Sequence, residues 1–495
     1  MELKSSVPEK WDREADVVVV GYGGAGAVTA ITAHDAGAEV LILEKAPEGE
    51  EGGNSRVAGQ AWFTPMPVSK GIIYFNALCG DYTVPQEMVR MWTEEMSRNT
   101  DWVRSLGGNP LEMAPLGTGT GKEFSEIEGA DCVRIYLLNG EVGYERLWKL
   151  LKASVEKRRI DVLYKIPGKE LIQNCMTKEI IGIRAGQTSN LYNIKARKAV
   201  VLTCGGFENN QEMIRNFLTN LPCCYPLGTP YNTGDGIKMA MAVGADLWHM
   251  SNIAGPLYSL KVPEFSSAFQ LLPLHHAREF SAGMILVGAN GKRFVDEKHR
   301  LTHGKIKFGD QWNQSPTPCP MFMIFDHTLF SAGPLYDNNF YSGWNSRLKL
   351  YNWSEDNSAE LARGWIKKAN TIAEIATTIG LDPVALEDSV NKWNTHCAVG
   401  KDLEFGRTKM LLPIRTSPFY AIEVSPVFFN TQGGPRRNEK GQILRPDGNP
   451  IKRLYSAGEL GSIYSFLYQG GGNIGECLSF GRISGRNAAG EKPWE

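Results

Sequence analysis

The sequence has no excess of either charge: 53 Lys and Arg against 54 Asp and Glu, a formal net charge of −1. A chain so balanced presents no basic surface for nucleic acid or for an anionic bilayer, so neither is expected as a partner. No uninterrupted apolar run approaches the roughly 18 residues of a membrane-spanning helix. The opening stretch, MELKSSVPEKWDREAD, holds neither an apolar segment nor a twin arginine. A cytoplasmic location is therefore expected. Cysteine occurs nine times, an odd number, with no CxxC or CxxCH pair, and Cys223 and Cys224 are adjacent and too strained for an ordinary disulfide. These spacings argue against Fe–S ligation, haem attachment and a zinc ribbon, predict no metal, and fit a reducing compartment. With 495 residues, 42% hydrophobic and 22% charged, the chain can bury a large core. A prior of roughly 150 residues per domain suggests about three domains.

The most informative stretch that is present is ADVVVVGYGGAGAVTAITAHDAGAEVLILEK, residues 15–45. A run of four valines ends at Gly21, an alanine-rich helix pattern follows, and a second apolar strand ends on Glu44 and Lys45. Gly21 permits the tight strand-to-helix turn, Gly23 lets the backbone approach a pyrophosphate, and Gly26 lets the helix pack closely on the strand. Gly24 and Ala25 complete the turn, and the phosphates would sit on free N–H groups at the helix N-terminus. Glu44, about twenty residues on, can accept hydrogen bonds from an adenosine ribose and repels a 2′-phosphate. These residues specify an adenine dinucleotide, either NAD or FAD.

A glycine-rich loop follows at 48–63, then helical patterns over 85–108 and 143–158. DVLYKI, EIIGIRAG and LYNIKARKAVVLTCGGF read as a β-meander ending at Gly205–Gly206. TGDGIKMAMAVGA, 233–245, reads as a helix capped by Thr233 or Asp235. From about 246 to 406 short strands precede two helix patterns joined at Leu381–Asp382–Pro383, a texture that predicts an inserted cap domain. The expected organisation is an α/β, Rossmann-type FAD-binding domain in two parts, 1–245 and 407–495, interrupted by an α+β substrate domain. A second GxGxxG fingerprint is missing: VVLTCGGFENN has a strand and a glycine pair but neither the spacing nor a following acidic strand. One dinucleotide is therefore held firmly, which favours FAD over an exchangeable nicotinamide.

The ordered motifs GYGGAG with Glu44, GGNS (52–55), TCGGF (203–207), TGDGIKMA (233–240), NGKRFVDE (290–297), TQGGP (431–435) and LYSAGELG followed by GGGNIGECLSFGRISG (454–485) resemble the fumarate reductase/succinate dehydrogenase flavoprotein family. Within it they are similar to the 3-ketosteroid dehydrogenase branch. The resemblance implies FAD as the cofactor and reaction at a CH–CH or C=C bond beside a carbonyl. A hydride then passes between flavin N5 and the β-carbon while a side chain moves the α-proton. It also implies that Gly53, Asn54 and Ser55 contact the pyrophosphate and flavin side and that Gly458 and Glu459 contact the ribityl chain. Gly59, Thr203, Gly205, Asp235, Asn473 and Ile474 join the cofactor set. The histidine that tethers flavin in respiratory relatives is missing from 52–60, so the FAD is expected to be non-covalent.

Departures from the family pattern speak to the substrate. Where fumarate reductases carry a dicarboxylate-clamping histidine and arginine, this chain has Asn430 and Gln469. Hydrogen bonds to a charged group contribute about 1.5–3 kcal/mol each, so a dianion loses its main attachment here. Tyr468 and Gly472 match the tyrosine and glycine with which the ketosteroid branch binds a ketone oxygen, two neutral donors suited to enolate-like charge. After RFVDE the resemblance implies a proton-transferring residue at Arg300, with His303 as the alternative. Phe429, Tyr464 and Phe466, with Tyr74 and Tyr82, offer apolar lining.

The expectation is a C–C single/double bond oxidoreductase acting on a cyclic, apolar ketone or enone. Its alternatives are a 2-enoate reductase with Arg300 or Arg278 on the carboxylate, and a flavin electron-transfer subunit that needs another protein. With one fingerprint only, electrons enter or leave through an unidentified donor or acceptor.

Overall fold

Val17–Val20 are β-branched and at most 4% exposed, as in a parallel strand covered on both faces. They end β1 (Arg13–Val20), which is followed by helix α1 (Gly24–Asp35) and by β2 (Val40–Leu43) in parallel register, Val17 opposite Val40. The short α2 (Gly53–Val57) and α3 (Arg146–Lys157) lead to β3 (Asp161–Leu163), parallel to β2. On its other edge β1 pairs with β4 (Asn190–Leu202), Val20 opposite Leu202. After α4 (Asp235–Ala242), β5 (Pro450–Ser456) extends β4 in parallel, and α5 (Gly472–Ala489) packs along α1. The strand order is 3-2-1-4-5, with Gln442–Leu444 antiparallel outside β5. In such a sheet the connections reverse direction beside β1, which opens a crevice at the carboxyl ends of β1 and β4. The computed structural model describes residues 7–80, 84–113, 123–187, 190–221, 223–275, 278–299 and 302–494.

The expected meander is present without its first member. Gly168–Gln173, Ile180–Gln187 and β4 pair antiparallel, whereas Asp161–Leu163 joins the parallel sheet, because α3 carries the chain across the sheet and returns it beside β2. The pattern over 85–108 divides into helices Gln86–Ser97 and Asn99–Ser105. Among the described residues no helix is long and apolar enough to cross a membrane.

The chain folds as two compact units. One comprises Met1–Asn220, Gly228–Ala254 and Phe429–Glu495; the other comprises Leu221–Leu227 and Gly255–Phe428. These boundaries fall later than 245/246 and 406/407. The displaced segment contains the second unit's central strand, Phe419–Phe428, which pairs residue for residue with Met321–Asp326. That sheet lies between two apolar clusters, one centred on Phe269, Trp353 and Tyr420, the other on Ile324, Trp393 and Ala421. Two helices match the sequence signals. Ile372–Thr378 begins with a Thr371/Glu374 capping box, and Pro383–Val399 is capped by Asp382 with proline in its first turn.

The RFVDE stretch is a staple within the second unit. Arg293 donates to Glu297 at 2.9 Å and to Asp402 at 3.0 Å, Arg407 donates to Glu297 at 3.0 Å, and all four side chains are buried. Burial raises the Asp402 pKa. The Arg293 guanidinium and the N–H groups of Glu404 and Arg407 outweigh it and hold the carboxyl below the usual carboxylate range. Asp402→Asn should thus lower the unfolding free energy near neutral pH by about 3–5 kcal/mol in denaturant melts. Because the folded pKa is depressed, the carboxylate's contribution is complete above about pH 4 and is lost as pH falls through the folded value. The gap between wild type and variant should close below that pH; a gap that widens in acid contradicts the assignment.

Candidate active site

At the carboxyl ends of β1, β2 and β4 the first unit forms a part-open cavity. Its lining includes Gly21, Gly23, Gly24, Ala25, Glu44, Lys45, Gly53, Asn54, Ser55, Thr203, Gly205, Asp235 and Glu459. Each of these was singled out from the sequence for the cofactor, whereas Tyr22, Glu50, Tyr231, Asn232 and Cys477, which also line it, were not. Gly21 has φ +104°, and a Cβ there would lie 2.5 Å from the Thr203 carbonyl oxygen. A Cβ on Gly26 would lie 2.0 Å from the Gly21 carbonyl oxygen, so only glycine allows α1 to start this close to the strand. A Cβ on Gly23 meets no protein atom nearer than 3.6 Å; the missing side chain leaves room in the cavity itself.

The first turn of α1 holds no acidic residue, and its N-cap, Gly23, has no side chain to satisfy the free N–H groups. Gly24 N–H donates to Ser55 Oγ at 3.1 Å, and the Thr203 hydroxyl donates to the carbonyls of Val20 and Gly21. Glu44 accepts the N–H groups of Tyr22 and Ala46, both at 2.7 Å; burial raises its pKa, and these N–H groups oppose the rise. Lys45 donates to Thr233 at 2.6 Å and Asp235 at 2.7 Å. Neither of those residues caps α4: its N-cap is Gly234, which makes no side-chain cap bond, because both side chains turn to the lysine.

Four residues expected to touch the cofactor do not line the cavity. The Gly59 carbonyl accepts Gly143 N–H, the Gly458 carbonyl accepts from Arg437, Asn473 donates to Asn430, and Ile474 packs on the apolar core behind the sheet. Gly26 lies behind Gly21 and acts through packing.

The loop before α5 carries Tyr468, 8% exposed. Asn473 N–H, in the first turn of α5, donates to its hydroxyl at 3.2 Å. Burial pushes the phenol's pKa far up, so it stays a neutral O–H. Gly472 does not offer the expected free N–H: that group donates to the Gln469 carbonyl at 2.9 Å, closing the turn that starts the helix. Asn430 and Gln469 are engaged internally. Asn430 accepts from Asn473 and donates to the Thr431 carbonyl; Gln469 accepts the Tyr74 hydroxyl at 2.7 Å and Glu123 N–H at 3.3 Å.

In the second unit His303 is half-buried in the turn of the Thr302–Lys305 bridge, with φ +46°. Arg300 and Tyr82 lie outside the described residues. Arg278 is half-exposed and 4.0 Å from Asp337. Sequence reasoning passed over Lys305, whose pKa burial lowers to about 8. Among the described residues the one cluster with metal-ligand geometry is His396, Asp402 and Glu404, where Arg293 already occupies both carboxylates.

The model of the FAD binding domain family matches residues 16–474. This chain belongs to that family. The flavoprotein is 28% identical over 527 aligned residues to digoxin reductase of Eggerthella lenta, covering 98% of this chain and 89% of the relative. It is 26% identical to 3-oxosteroid 1-dehydrogenase of Mycolicibacterium smegmatis, covering 96% and 97%. The crystal structure of 3-ketosteroid Δ1-dehydrogenase from Sterolibacterium denitrificans shares the fold, with a TM-score of 0.75 at 21% identity over 96% of this chain and 99% of that one.

The cofactor is FAD, and the residues fit it. The open N-terminus of α1 suits the pyrophosphate, Glu44 suits the adenosine ribose, and the glycine at 23 leaves the space a side chain would fill. The flavoprotein is an oxidoreductase. Glu208, which accepts from Asn54 and Asn232, and Thr431, which donates to Glu459, were missed from sequence; the acid following the glycine pair in CGGFENN was the available signal. The two glycines near the turn should separate experimentally. Gly26→Ala should destabilise the apoprotein by about 1–3 kcal/mol, through overpacking against backbone. Gly23→Ala should leave the apoprotein's thermal stability unchanged and weaken FAD binding; equal effects of both on melting would contradict the placement of the cavity.

Proposed function

We propose that this flavoprotein interconverts a carbon–carbon single bond and the double bond α,β to a carbonyl, on a cyclic and largely apolar ketone or enone of 3-ketosteroid type. FAD, when bound, supplies two-electron transfer at the reacting bond. The chain supplies the site for the oxygen. The observation that carries this reading is the buried, un-ionised Tyr468 hydroxyl at the N-terminus of α5, which receives Asn473 N–H. A hydroxyl that accepts such a bond is polarised into a stronger donor, and the helix N-terminus favours negative charge as it develops on a substrate oxygen. With Gly472 N–H engaged, the second contribution comes from Asn473 through the phenol rather than from the glycine directly.

The uncharged character of Asn430 and Gln469 supports a ketone over a carboxylate, because neither amide brings the charge a buried carboxylate needs. The proton at the α-carbon is assigned to Arg300 by the family resemblance, with His303 as the alternative. We also read the FAD as non-covalent and the protein as cytoplasmic. None of the nine cysteines is joined in a disulfide, which suits a reducing compartment.

Tyr468→Phe should lower the rate of flavin oxidation by a cyclic enone about 10²–10³-fold, with FAD content retained. An unchanged rate removes the oxygen site, and faster turnover of an aryl enoate than of any enone favours a carboxylate substrate. Acid precipitation should release all the flavin into the supernatant; yellow pellets would mean a covalent tether.

A further inference from the structure

Two carboxyl groups meet in the first unit, and among the described residues no cation pairs with either. Glu208 follows the Gly205–Gly206 turn after β4 and is fully buried; Glu459 follows β5 and lines the FAD cavity. A Cβ on Gly206 would lie 2.8 Å from Glu208 Oε2 and 2.2 Å from Glu459 Oε1, so both acids close around one α-carbon. Glu208 Oε2, the oxygen beside Gly206, is buried and meets no donor among the described residues. A proton held between it and the neighbouring Glu459 carboxyl would satisfy that oxygen, whereas two carboxylates would leave it without a donor.

The surrounding partners are neutral. Asn54 of α2 donates to Glu208 at 2.8 Å and to Glu459 at 3.3 Å. Asn232, ahead of α4, donates to Glu208 at 3.2 Å. The N–H and hydroxyl of Thr431 each contact Glu459 Oε1 at 3.2 Å. From α5 the titratable neighbour is Cys477, whose thiol burial pushes up to about 12. Burial raises the pKa of both acids, and the charge of Glu208 raises that of Glu459 further. The rest of the cavity sharpens the problem, for Glu44, Glu50 and Asp235 line it and Lys45 is paired with Asp235. FAD adds the negative charges of its pyrophosphate.

We propose that Glu208 is a cofactor-positioning residue that shares a single proton with Glu459, so that the pair meets bound FAD with one negative charge rather than two. The proton lies between the carboxyl oxygens and fixes both, and Asn54, held by both acids, is thereby fixed against the cavity. Two like charges this close do not both ionise readily in a buried site. FAD binding is accordingly linked to retention of that proton and weakens as the pair loses it in alkali. The inference rests on the assignment of FAD to this cavity.

The test is equilibrium FAD binding to the full chain after reversible removal of flavin, read by quenching of flavin fluorescence from neutral to alkaline pH. Wild type should bind about tenfold more weakly per pH unit once the free pair ionises. Glu208→Gln keeps a neutral donor opposite Glu459 and fixes the pair's charge at one; it should bind FAD within about threefold of the neutral-pH wild-type value across the range. Parallel pH profiles for the two proteins, or a flat wild-type profile, overturn the shared proton. Wild type that binds no FAD at any pH overturns the cofactor assignment as well. If the variant does not fold, infrared spectra of the wild-type holoprotein decide: a protonated-carboxyl carbonyl band should fade over the pH range in which FAD is released. Absence of such a titrating band overturns the proposal.

Discussion

Helix α1 begins in contact with the strand that precedes it, and the cofactor site depends on that approach. Gly21 turns the chain at the end of β1 against Thr203 at the end of β4, while Gly26 brings the helix onto the Gly21 carbonyl. The result is an uncapped helix start aimed into a cavity at the point where the sheet's connections reverse. Free N–H groups and the helix dipole there receive negative charge without a basic side chain. That explains how an acidic cavity, with Lys45 bound to Asp235, can belong to an FAD-binding protein.

The same device recurs at α5. Its N-terminus has no side-chain cap at Gly471, and the first-turn N–H of Asn473 is satisfied by the Tyr468 phenol. One helix start opens on the cavity and the other meets a neutral hydroxyl. The loop leading to α5 is anchored by the buried Arg437–Glu476 ion pair. Glu476 also accepts the Ser462 hydroxyl and Ile463 N–H, and Arg437 binds the carbonyls of Gly458 and Leu460. A buried pair of this kind is weak evidence of added stability. Its geometric role is clear, since it fixes the glycine turn after β5, which carries Glu459, to the body of the final helix.

In the second unit the motif that marks the family has a structural explanation. Arg293 and Glu297 of RFVDE interlock with Asp402 and Arg407 from a distant segment, and this holds the chain up to Glu297. The buried Lys298 donates to the carbonyls of Pro273, His275 and Arg278. His303 and Lys305 belong to the turn closed by the Thr302–Lys305 bridge.

Local pattern by itself determined the βαβ unit, the dinucleotide turn, the acidic strand end and the two capped helices of the inserted unit. These follow from glycine φ requirements, side-chain periodicity and capping chemistry, all of which act within a few residues. Tertiary structure decided the rest. The boundary at Phe429, the use of Gly472 N–H to close a turn, the capture of Thr233 and Asp235 by Lys45, and the meeting of Glu208 with Glu459 join residues far apart in the chain. No spacing announces such pairings, because a side chain's partner and its ionisation are set by what packs against it once the fold has formed.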